Sequence, residues 1–418
     1  MGEKVTMLKK MLRSLIIITL VFISLCLFGC ILKKQSKDTN VSNDIVVVEQ
    51  SSTSNNIDKQ VKDTTDLKKG KTDKIVEEIE VSFPFVLKGV KNLDEIMQLT
   101  GDDSINHTDK YLISGTDLGS IFEHNDIMYF LFGDTFGPRS KYLTGAGGKN
   151  WRSNVMAYTT DLKPDDGITF DGMIIDTTGK AKELLYSEKY DNKEMTVIPT
   201  HGISANANMY IYFMSVKHWG VPGQWDCNYS GLARSTDNGQ NWFNIKDTSW
   251  SGDSNFIQVA TNKIDKQIYI WGTPSGRYGG VKLMKVAEKD IEDKNEYTYY
   301  SGTQNGEPIW SKNINDAVII VDSPVGELSV IWNVYLDRWI MTYLNESKAV
   351  VQIREGIKPW GPWGKPITLV SGEEYPGLYG PYMNERYTEQ EGKIVYFSLS
   401  RWTPYNVFWM KAELIKIE

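Results

Sequence analysis

From Ile127 onward, short apolar runs alternate with polar, glycine-bearing connections. Five runs stand out: Ile127-Met-Tyr-Phe-Leu-Phe132, Met209-Tyr-Ile-Tyr-Phe-Met214, Gln267-Ile-Tyr-Ile-Trp271, Trp339-Ile-Met-Thr-Tyr343 and Ile394-Val-Tyr-Phe397. Each is followed, after a loop, by a second run: Asn154–Tyr158, Gly231–Arg234, Val281–Lys285, Ala349–Ile353 and Asn406–Met410. All are too short for helices and are rich in β-branched and aromatic residues, so they read as strands.

The first runs start 82, 58, 72 and 55 residues apart. A strand unit repeating every few tens of residues marks a propeller, and five units predict an all-β, five-bladed β-propeller. The irregular period leaves a sixth blade open. Ser235-Thr-Asp237-Asn-Gly239-Gln-Asn-Trp242 resembles the Asp-box turn of sialidase-like propellers. There Asp and Gly shape a β-turn and Trp fills the space between strands, a structural role.

The amino end has another character. Lys4, Lys9, Lys10 and Arg13 precede an apolar run from Leu15 to Phe28, which ends at Leu27-Phe28-Gly29-Cys30. The run is shorter than the roughly 20 residues of a spanning helix, and a small residue before cysteine suits lipoprotein processing. Residues 1–29 are therefore expected to be a signal peptide and Cys30 the lipidated residue, which puts the mature protein on the outer side of a bacterial cell membrane. Residues 30–80 hold neither aromatic residue nor proline and read as a disordered tether. The folded domain is expected over 81–418.

Composition narrows the chemistry. Loss of residues 1–29 moves the net charge from −7 to −10, which argues against nucleic acid as a partner. Removing Cys26 and acylating Cys30 leaves Cys227 unpaired, so there is no disulfide framework. His107, His124, His201 and His218 show no zinc spacing, and no Asp-x-Asp-x-Asp loop supports calcium in the channel. No cofactor is expected.

A propeller's funnel is lined by its innermost strands, so polar residues beside buried strands are the candidates. Asp117 in Gly115-Thr-Asp-Leu-Gly119 and Asp134 in Gly133-Asp-Thr-Phe-Gly137 bracket the first apolar run, with glycines that let a short carboxylate reach a pocket. Either alone could simply cap a turn. Arg152, Asn154, His201, Arg277, Glu327, Asn333, Tyr382 and Glu385 complete a ring of carboxylate, guanidinium, amide and aromatic groups suited to a polyhydroxylated sugar. Taken singly, Glu327 and Glu385 could be surface charges, with Arg277 the partner of one, and His201 a hydrogen-bonded inner-strand residue.

At Thr116–Gly119, Phe132–Phe136, Ser323-Pro to Glu327–Asn333 and Tyr379–Met383 the sequence resembles the domain-of-unknown-function family 4185, classed as glycoside hydrolase family 183. The resemblance implies a five-bladed propeller with endo-D-arabinofuranase activity. It also implies that Asp117 and Asp134 are the catalytic aspartates. The expected activity is hydrolysis of an arabinan-like furanoside between two carboxyl groups, with Asp134 favoured as the acid because it leaves the more apolar strand. The rivals are a glycan-binding surface lipoprotein without turnover and a structural propeller with an apolar plug. A close, partly buried carboxylate pair separates the enzyme from the binding protein, which gains nothing from two adjacent negative charges.

Overall fold

The computed structural model of the protein describes residues 85–417. The expected signal peptide, the lipidation of Cys30 and the tether over 30–80 lie outside the described residues.

The described residues form five antiparallel sheets, and their only helical segments are short 3-10 turns. Inner strands Leu118–His124, Thr196–Ala205, Gln258–Ile264, Leu328–Asn333 and Leu378–Glu389 each touch the next, and the last touches the first. That closes a ring of five blades, as the strand pairs predict. Each predicted pair forms the second and third strands of one blade, for example Ile127–Phe132 with Val155–Thr159. The ring is locked by Leu87–Gln98, which pairs antiparallel with Asn406–Lys416 as the outer strand of the fifth blade. Glu355 assists by accepting the backbone N–H groups of Val86 and Leu87 at 3.0 and 2.8 Å.

Why the second strands are apolar without alternation follows from the pleat. Successive side chains point to opposite faces, and both faces of a blade are covered by neighbouring blades. Met128, Phe130 and Phe132 pack with Tyr396 and Trp409 of the fifth blade, while Tyr129 and Leu131 pack with Ile211 and Phe213 of the second. The same division recurs around the ring, so the protein has five inter-blade cores instead of one.

Inner strands carry bulges where the site will form. The register slips between Leu118 and Ser120, between Pro199 and His201, and between Tyr379 and Tyr382. Such bulges re-aim side chains and tolerate the prolines that a regular ladder rejects. The third blade has an added outer strand, Glu307–Ser311, and the segment Val321–Val325 pairs with its third strand just before Glu327. The Asp-box is a turn as expected: Asp237 Oδ1 accepts the Asn241 N–H at 2.9 Å, Gly239 has φ +85°, and Trp242 Nε1 donates to the Gly239 carbonyl at 2.9 Å.

Candidate active site

Loops at one end of the ring enclose a cavity of about 660 Å³, and both aspartates line it. Asp117 sits immediately before an inner strand. The next two residues, Leu118 at φ +68° and Gly119 at φ +87°, are left-handed, a costly conformation for leucine that holds the turn in one shape. Gly133 allows a close approach: a Cβ there would lie 2.5 Å from Asp117 Oδ1. The Gly133 N–H donates to the Asp117 carbonyl at 3.1 Å, which ties the two aspartate segments together.

The two carboxyl groups have different surroundings. Asp117 Oδ2 accepts a hydrogen bond from the Tyr379 hydroxyl at 3.0 Å, while its Oδ1 is buried without a partner. Asp134 Oδ1 accepts from Trp151 Nε1 at 2.7 Å and Thr196 Oγ1 at 2.6 Å. Burial, reinforced by the nearby Asp134 charge, lifts Asp117 to about 8 despite Tyr379 and Tyr405. Burial also raises Asp134, but the bonds from Thr196 and Trp151 and the charge of Lys189 hold it to about 6. The higher proton affinity thus falls on Asp117, where strand apolarity favours Asp134: beside burial, the Asp134 charge lifts Asp117, and the bonds that Asp134 accepts restrain its own rise.

Tyr405 braces the pair from below, donating to the Asp134 backbone carbonyl at 3.1 Å from a left-handed backbone at φ +66°. Across the cavity, Arg277 donates to Glu327 Oε1 through Nε at 3.0 Å and Nη2 at 2.8 Å, and to Glu346 through Nη1 at 3.1 Å. Its guanidinium lies 4.9 Å from the Tyr379 ring centroid. Burial opposes its charge, but Glu327 and then Glu346 outweigh that and hold it above its ordinary range. Glu327 Oε2 is buried and unpartnered. The pairing of Arg277 with a glutamate, open from sequence, is thus found inside the cavity, with Tyr382 beside it in the lining.

The other proposed sugar contacts are placed elsewhere. Arg152 donates to the carbonyls of Asn150, Tyr111, Ala181 and Leu112 and so binds loops of the first blade together. His201 meets Thr261 Oγ1 at 2.8 Å between two inner strands, and burial lowers it to about 4, leaving it neutral. Asn333 accepts the Leu336 N–H within its own turn and donates to the Gly392 carbonyl of the fifth blade. Glu385 accepts from Asn262 Nδ2 and the Trp332 N–H, joining three blades. Asn154 is fully buried and makes four bonds, donating to Leu185 and Val197 and accepting from the N–H groups of Leu184 and Leu185. Asn154→Ala orphans those groups, and we expect a stability loss of about 2–4 kcal/mol by urea denaturation.

Sequence reasoning missed Tyr379, Tyr405, Trp151, Thr196, Glu346 and the wall formed by Trp225. Only Tyr379 had a visible signal, its place beside Gly380-Pro. Among the described residues no cluster of three or more His, Cys, Asp or Glu could hold a metal.

Over residues 103–411 the sequence matches the family model described as Domain of unknown function (DUF4185). The chain belongs to the DUF4185 family. Another similar protein is the Notoamide biosynthesis cluster protein J of Aspergillus sp. (strain MF297-2), 31% identical over 334 residues, covering 75% of this chain and 86% of that protein. Among solved structures, this DUF4185 protein is similar to a Bacteroides ovatus ATCC 8483 protein provisionally described as a hydrolase: TM-score 0.51, 13% identity, 72% of this chain and 86% of the other. It also matches Zg3597, a family 117 glycoside hydrolase of Zobellia galactanivorans, with TM-score 0.46, 11% identity and coverage of 78% and 91%. At such identities, the Bacteroides likeness speaks to the propeller fold alone.

Proposed function

We propose that the protein is a glycoside hydrolase in which Asp117 is the general acid and Asp134 the nucleophile or base. The observation that carries this reading is two carboxyls, Asp117 partly buried and Asp134 buried, that line one cavity with different hydrogen-bond surroundings. Asp117 is lifted to about 8 and Asp134 to only about 6. Paired carboxyl groups whose surroundings push them apart are what glycosidic cleavage needs: one proton ready for the leaving oxygen, one charge ready for the anomeric centre. A protein that only binds sugar has no use for that arrangement, and its cost in stability argues against a purely structural origin.

The substrate class we assign is an arabinan-like furanoside polysaccharide, supported by the family motifs that contain both aspartates. Anchoring at the outer face of a bacterial membrane is part of the same proposal, supported by Gly29-Cys30 after the apolar run. The test is release of reducing ends from purified arabinans and a panel of bacterial wall glycans. The proposal expects turnover of at least one furanoside, lost in both Asp117→Asn and Asp134→Asn. Tight binding without turnover, unchanged in both variants, would establish the binding-protein alternative.

Tyr379 tunes the acid. Its hydroxyl stabilises the ionised form of Asp117, so its removal raises the Asp117 proton affinity further. In Tyr379→Phe we expect the alkaline limb of kcat/KM to move up by roughly one pH unit, the size of one hydrogen bond to a charged group. An unmoved limb would show that Tyr379 does not act on the titrating group.

A further inference from the structure

Beyond the axial cavity lies a second one, of about 740 Å³, between the second and third blades. The two share a wall: Gly220, Gly223, Gln224 and Trp225 line both. That wall is the hairpin joining Asn208–Trp219 to Trp225–Ser235. Trp219 and Trp225 face each other across its base, with ring centroids 5.4 Å apart.

The wall is fixed in place. Gly223, at φ +78°, accepts the Arg277 N–H at 2.9 Å, and a Cβ on it would stand 3.1 Å from the Tyr278 ring and 3.2 Å from Glu346. One turn, Ser275-Gly-Arg-Tyr278, therefore serves both sides: Arg277 lines the axial cavity and Tyr278 the second one.

We propose that the second cavity is a sugar-binding subsite for units of the same glycan chain whose scissile bond lies at Asp117 and Asp134. This rests on the glycosidase reading. Each cavity falls within the ~300–1,000 Å³ range of small-molecule sites, and together they exceed the needs of one sugar ring. Trp225, 8% exposed, is packed into the shared wall with its indole N–H turned to the Cys227 sulfur, so it fixes the wall's shape. Tyr278 supplies a half-exposed ring for stacking on a sugar face, and Gln224, Ser275, Asp226 and Asp253 supply polar groups for hydroxyls. His218 is already paired with Asp191 at 2.7 Å, and the carboxylates of Asp226 and Asp253 outnumber the one lysine of the lining, Lys217, which disfavours an anionic ligand. The class that fits is an uncharged, polyhydroxylated chain.

The experiment measures binding of arabinofuranosyl oligosaccharides, dimer to octamer, to Asp134→Asn protein by calorimetry, beside kcat/KM for the same ladder with the parent and Tyr278→Ala. We expect affinity and kcat/KM to rise roughly tenfold with length before levelling off. In Tyr278→Ala the loss for the octamer should exceed that for the dimer by about fivefold, the size of one aromatic contact. Oligomer density in a crystal of the Asp134→Asn complex should extend into the second cavity and lie against the Tyr278 ring. Hydrolysis that is equal for all lengths, with density confined to the axial cavity, would overturn the subsite and leave the glycosidase standing. Absence of binding and turnover for every oligomer would overturn the subsite for this glycan, and the same absence across the wall-glycan panel would overturn the glycosidase reading too.

Discussion

Replacing Asp134 by Asn is expected to lower glycan turnover by roughly 10³-fold or more, with the fold intact. The carboxylate supplies the only ionised oxygen of the pair at neutral pH, and losing a positioned acid, base or nucleophile typically costs about 10²–10⁴. Asparagine can still accept the bonds from Trp151 and Thr196 through its carbonyl oxygen, so the local architecture is kept. A second effect adds to the first. The Asp134 charge is one cause of the raised Asp117 affinity, so in Asp134→Asn the acid gives up its proton more readily. Substrates with activated leaving groups are expected to lose as much as natural ones, because attack itself is disabled. Steady-state kinetics on both substrate types, with circular dichroism as the control for folding, check the result.

Asp117→Asn is expected to behave differently. Cleavage of natural glycosides should fall by about 10²–10⁴, whereas aryl glycosides whose leaving groups need no proton should fall by less than about tenfold. The same substitution should stabilise the protein at neutral pH. Asp117 binds its proton more tightly folded than unfolded, so its contribution is fully present below about pH 4 and is lost as pH rises towards about 8. Asparagine removes that loss. Urea midpoints should fall between pH 5 and pH 8 more steeply for the parent than for Asp117→Asn. A site that costs stability in this way is one maintained for activity and not for the fold.

The place of those two residues beside the cavity was legible because glycine context is local, although the approach of Asp117 to Gly133 shows only in the structure. The second and third strands of each blade were legible for a related reason. Both faces are buried, so they appear as uninterrupted apolar runs. The inner strands escaped. Thr196-Val-Ile-Pro-Thr-His-Gly202 and Leu378-Tyr-Gly-Pro-Tyr382 contain proline and glycine at bulges, which read as turns until neighbouring blades are seen around them. Asn154, His201 and Glu385 have the chemistry of sugar-binding residues, and what they touch depends on blade-to-blade packing that periodicity does not encode. Arg277 and Glu327, 50 residues apart, meet only because the segment after Val321–Val325 turns into the funnel. The roles within the aspartate pair were hidden for the same reason, since Trp151, Thr196 and Tyr379 come from three different blades or loops.

The pH dependence of kcat/KM on an unactivated furanoside tests the pair most directly. The account predicts a bell with limbs near 6 and near 8, belonging to the coupled aspartates, and in Asp117→Asn an aryl glycoside profile that has lost its alkaline limb. An alkaline limb near 8 that survives in Asp117→Asn, or a parent profile flat through both regions, would contradict it.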